Sequence, residues 1–213
     1  MRKLALLFSL CLASLLAPLA ATAHEEKKAN PEPKVPLSFG YESALAAHAN
    51  KPIIRPRGTA PALLGPGDVL SLLLTGKESG NALMQLEATV AVGGGPPAHV
   101  HIREDETFYV VSGNLEILVG EKIYNAKAGD FVYIPKGTIH RFKNVGGAPS
   151  VQLVTITPTG AAGLEGFFQE VYPPAQDPKA APPPLTEEMI RKISKAAPKY
   201  GLILIPPSDS GKR

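Results

Sequence analysis

From about Lys51 to Pro158 the chain is built of short runs in which Val, Ile, Leu, Phe and Tyr alternate with polar residues, and Gly, Pro, Asn and Asp stand between the runs. Alternation with a period of two buries one face of a β-strand and leaves the other wet. The pattern predicts strands over 53–57, 69–74, 82–92, 98–102, 107–111, 115–119, 122–125, 131–134, 139–143 and 151–157. Gly113-Asn114, between two apolar runs, reads as a hairpin turn. Ala128-Gly129-Asp130 and Pro135-Lys136-Gly137 read as further turns. Many short strands with frequent turns predict an all-β sandwich or barrel.

The pattern changes on both sides of this block. After Pro158, residues 164–171 carry Leu164, Phe167, Phe168 and Val171 at helical spacing and predict a short helix. Residues 173–184 are rich in Pro and Ala and predict an extended linker. Thr186 is placed as an N-cap, with Glu187 and Glu188 in the first turn and Leu185 and Ile190 as a hydrophobic staple. Met189, Ile193 and Ala197 then repeat every four residues until Pro198 and Gly201 end the helix. Residues 202–205 read as an edge strand or a segment docked on the barrel, and 206–213 as a tail. At the other end, Tyr41 to His48 has room for one or two helical turns, and His48 reads as a surface residue.

The first residues carry an export pattern. Arg2 and Lys3 precede an apolar stretch from Leu4 to Leu16, and Ala21-Thr22-Ala23 has the small-residue form of a cleavage site. The apolar stretch is short for a membrane span. The expected organisation is a signal peptide at 1–23, a charged, Pro-containing leader at 24–50, a barrel at 51–158 and a C-terminal extension at 159–213. An exported protein in the periplasm or the medium is expected, with no stable membrane anchor after cleavage.

Charge adds a restriction. The chain has 22 Lys and Arg against 19 Asp and Glu, and two of the basic residues leave with the signal. No dense basic cluster remains, which argues against a nucleic-acid partner. The single cysteine, Cys11, lies in the signal, so neither a disulfide nor a thiolate ligand is expected in the mature protein.

Three of the five histidines form a constellation. His99 and His101 are two apart on a predicted strand and point to one face. Glu104, Asp105 and Glu106 follow within a short loop, and His140 arrives from a separate strand. Three neutral imidazoles and one carboxylate suit a divalent first-row transition metal, with iron, manganese, nickel, cobalt and copper all open. A five- or six-coordinate ion would keep positions for water, substrate or dioxygen. Along the same strands, parity selects Met84, Phe108, Val110 and Phe142 as walls of a substrate pocket. Gly93-Gly94-Gly95 lacks the Gly-Lys-Ser/Thr ending of a phosphate-binding loop.

These segments resemble the two motifs of the cupin superfamily. Gly93, His99, His101, Glu106 and Gly113 match the first; Gly129, Pro135, Gly137, His140 and Asn144 match the second. The resemblance selects Glu106 as the carboxylate ligand and leaves Glu104 as a solvated loop acid. It implies a double-stranded β-helix, the cupin jelly-roll barrel, with the metal held by His99, His101, Glu106 and His140, and a homodimer. Within the superfamily, the passage from Glu104 to Gly113, Thr157-Pro158 leading to Gly166-Phe167-Phe168, and Lys199-Tyr200-Gly201 look most like single-domain quercetin 2,3-dioxygenase-like proteins. That likeness implies a dioxygenase using O2 on a phenolic or enol-containing small molecule, with Glu106 also taking the substrate's hydroxyl proton. Two other classes stay open: an oxygen-independent metal enzyme such as a decarboxylase or isomerase, and a non-catalytic binding protein for metal or a small molecule.

Overall fold

Alternation of buried and exposed residues is carried out strand by strand in the computed structural model, which describes residues 52–177 and 181–206. All of them belong to one unit of the chain, His48–Arg213. The expected signal, leader and helix at Tyr41 to His48 lie outside the described residues, as does nearly all of the expected tail.

Eleven strands are described: β1 Ala62–Gly65, β2 Asp68–Leu74, β3 Met84–Val90, β4 His99–His101, β5 Asp105–Ser112, β6 Asn114–Val119, β7 Lys122–Lys127, β8 Phe131–Ile134, β9 His140–Asn144, β10 Ser150–Thr157 and β11 Leu202–Leu204. The helices are α1 Gly76–Ser79, α2 Leu164–Val171 and α3 Glu187–Ala196, followed by a 3-10 turn at Ala197–Tyr200. None of the described helices is long and apolar enough to cross a membrane.

The strands form two antiparallel sheets, ordered β1-β2-β3-β10-β5-β8 and β11-β4-β9-β6-β7. From β3 to β6 the chain changes sheet at each connection, and it does so again from β7 to β10. This winding is the double-stranded β-helix. Inward residues of the two sheets meet in one core: Met84, Leu86 and Val90 of β3, Phe108 and Val110 of β5, Leu115 and Ile117 of β6, and Val154 and Ile156 of β10.

The winding corrects one expected turn. Gly113 is not the tip of a hairpin, because β5 pairs with β10 and β8 whereas β6 pairs with β7 and β9. Gly113 (φ 86°) is the corner where the chain crosses between sheets. A Cβ there would stand 2.6 Å from that of Ser150, so the corner excludes a side chain. Two further differences are local. Residues 53–57 form no strand, and 62–65 form one instead, because Gly65-Pro66-Gly67-Asp68 closes a tight hairpin onto β2. Within 82–92, only Met84–Val90 is strand.

The C-terminal extension completes the barrel. β11 pairs with β4 along all three residues of that strand. Thr186 caps α3 through the Met189 amide at 3.2 Å, as the sequence predicted.

Candidate metal centre and its cavity

The sheet geometry turns a sequence spacing into a cluster. His99 and His101 project inward from β4, His140 opens β9 directly opposite His99, and Glu106 is the second residue of β5. One ligand atom from each of the four lies within 4.8 Å of the others, and all four residues are buried. The turn that delivers His140 is tied to β4 by the Gly137 amide, which donates to the His101 carbonyl at 2.8 Å. His99 Nδ1 stands 2.8 Å from the Pro97 carbonyl and His140 Nδ1 stands 2.9 Å from that of Thr138. A proton on each Nδ1 satisfies those carbonyls and leaves Nε2 as the inward-facing ligand atom.

Burial decides most of the protonation. It pushes the His99 imidazole down to about 3, helped by His140 and His101, and holds His101 below the usual histidine range. Burial opposes charge on Glu106 too, but the hydrogen bond from His140 and the three imidazoles together keep its carboxyl below the usual range. His140 is disfavoured as a cation by burial, yet Glu106 Oε2 at 2.9 Å from its Nε2 holds it above the ordinary value. His101 Nε2 is 3.6 Å from the same carboxylate oxygen and finds no hydrogen-bond partner among the described residues. Three imidazoles and one carboxylate converge on a buried point where one nitrogen is orphaned, and this donor set fits a single divalent transition-metal ion.

The cluster opens into a cavity of about 160 Å³. His99, His101 and Glu106 line it beside apolar side chains from the barrel, including Leu70, Leu86, Ala88, Phe142 and Val154. The extension closes the other side with Phe167, Phe168 and Tyr172 and with Ile190 and Ile193 of α3. No Lys or Arg lines it among the described residues.

Of the four residues selected by parity as pocket walls, only Phe142 lines this cavity. Met84, Phe108 and Val110 are fully buried in the packed core, with the Phe108 ring edge-on to Phe142 at 5.5 Å. Parity identifies the inward face, but it does not separate the rows that pack from the rows that border a void. Glu104 is corrected more sharply. It is 3% exposed rather than solvated, and its Oε1 accepts from the Leu164 amide at 2.9 Å, at the start of α2. The sequence offered no local sign of this, because the partner is sixty residues away. Asp68, which lines the cavity, also escaped the sequence reading; its shared parity with Leu70 and Leu72 was the available signal.

Residues 86–157 match the family model described as Cupin domain. An uncharacterised protein of Methanocaldococcus jannaschii is 33% identical over 63 residues, which cover 30% of this chain and 50% of that protein. The match thus spans about half the length of that curated relative. A predicted oxalate decarboxylase of Thermotoga maritima is 20% identical, with 51% of this chain and 100% of that one covered and a TM-score of 0.47. KdgF from Halomonas sp. is 22% identical, with 45% and 84% covered and a TM-score of 0.41.

Proposed function

We propose that this chain, whose residues 86–157 are a cupin domain in a double-stranded β-helix, is a metal-dependent dioxygenase acting with O2 on a phenolic or enol-containing small molecule. The observation that carries the reading is the buried His99, His101, Glu106 and His140 cluster opening onto a cavity whose lining is mostly apolar. His99, His101, Glu106 and His140 would hold the metal. A divalent ion bound there supplies Lewis acidity toward a substrate hydroxyl and a redox-active centre. Glu106, kept ionised by its imidazole neighbours, is the proton acceptor for that hydroxyl. Leu70, Leu86, Phe142 and Phe168 exclude water and pack the aromatic body of the substrate.

The lining favours this over a reaction on a small dicarboxylate. Such a substrate would bury a charge that the metal does not neutralise, and no cationic side chain lines the cavity among the described residues. The proposal includes export, supported by Arg2 and Lys3, the apolar stretch to Leu16 and Ala21-Thr22-Ala23.

The test is oxygen uptake by purified protein loaded in turn with iron, manganese, nickel, cobalt and copper, on flavonols and catechols. Uptake with one metal, abolished in His99→Ala, is the expected result. Folded, metal-loaded protein that consumes no oxygen on any of them would move the chain to the oxygen-independent or non-catalytic class.

A further inference from the structure

Asp68 is a buried acid at the start of a core strand. It opens β2 and faces Gly65 across the Pro66-Gly67 hairpin. It is 8% exposed, and its Oδ1 has no hydrogen-bond partner among the described residues. The oxygen occupies the space a side chain at 65 would take, since a Cβ there would lie 1.9 Å from it. On the neighbouring strand its register partner is Val90, which offers no polar side chain. Asp68 nonetheless lines the same cavity as His99, His101 and Glu106, beside Tyr172. Glu104, Ser150 and Gln152 also hold unpartnered polar atoms, but none of them lines the cavity.

A buried carboxyl without a hydrogen-bond partner destabilises the fold unless a donor is supplied; Oδ1 is closed off against Gly65, so a donor in the cavity meets the group at Oδ2 or after the carboxyl turns. Burial pushes this carboxyl up to about 7. In either protonation state it accepts a hydrogen bond from an O–H or N–H group, and its ionised form repels a carboxylate.

We propose that Asp68 is a specificity-determining residue that accepts a hydrogen bond from a hydroxyl or amine on the end of the substrate not engaged by the metal-ligand cluster. The inference rests on the phenolic reading only for the identity of the engaged end.

Binding isolates it from turnover. The zinc-loaded protein, redox-silent, is titrated by calorimetry with four catechols that differ at the far end: 2-hydroxyethyl, 2-aminoethyl, propyl and carboxyethyl. The hydroxyl and amine forms should bind about tenfold more tightly than the propyl form, and the carboxylate most weakly. Asp68→Leu should erase these differences, and the isosteric Asp68→Asn should keep the preference for the hydroxyl while losing that for the amine. Equal binding of hydroxyl and propyl forms, or a preference that survives Asp68→Leu, overturns the assignment. The same series without ring hydroxyls separates the two readings. If only 2-phenylethanol and 2-phenylethylamine bind, with the Asp68-dependent preference, the phenolic reading falls and Asp68 stands. If neither series binds, the role of Asp68 falls as well.

Discussion

At the residue scale, Asp68 couples the cavity to the stability of the whole chain. Its carboxyl rises from an ordinary value of 3.8 to about 7 on folding. Between those values the folded chain keeps a proton that the unfolded chain has lost. Stability therefore falls as pH rises through this window, and the full penalty is present above it. Asn does not titrate, so Asp68→Asn should gain on the parent with rising pH, by on the order of 2 kcal/mol between pH 5 and pH 8. Paired denaturant melts at the two pH values measure this gain, and a constant gap would mean that the carboxyl is ionised throughout. Asp68 was hard to find from sequence because its surroundings include Tyr172, which is distant along the chain. The candidate cluster was legible because strand parity puts His99 and His101 on one face, whereas the choice of Glu106 over Glu104, which shares its parity, came from the resemblance to the cupin motifs.

At the scale of elements, the connection between β4 and β5 does more than turn the chain. It carries Ile102, whose amide donates to the Gly201 carbonyl at 3.0 Å, and Arg103, whose Nη1 donates to the carbonyls of Ala162 and Lys199. It also carries Glu104, which caps the Leu164 amide. One loop between two strands of the candidate cluster thus grips the extension at α2 and around Gly201. Glu104→Ala leaves the buried Leu164 amide unsatisfied and should cost about 1–3 kcal/mol, with faster hydrogen exchange at that amide. Glu104→Gln keeps an acceptor and should cost less; equal losses in the two variants would reassign the effect to packing. Element identity was largely legible from the period of two and from the Thr186 cap. The corner at Gly113 was not, since a crossing between sheets and a hairpin leave the same glycine-marked gap between two apolar runs, and only pairing partners distinguish them.

At the scale of the whole molecule, the extension forms part of the site. β4 has a single register pair with β9, His99 opposite His140, whereas β11 pairs with all three of its residues. The strand pairing of the two histidines of β4 therefore comes chiefly from Leu202 to Leu204, beside the Gly137 amide on the His101 carbonyl. A chain ending at Gly201 keeps every ligand, yet its zinc affinity should fall by about tenfold or more in chelator competition, as expected when the support behind a ligand is removed. Undiminished affinity would show that β9 alone positions the pair. The pairing of His101 with Leu202 also bears on when the four residues of the candidate cluster can converge. Synthesis delivers the four residues of the cluster long before it delivers the strand that orders two of them, so the cluster reaches its full order on the nascent chain only once residue 204 has emerged. A bound ion would therefore be drawn from whichever compartment hosts that final pairing.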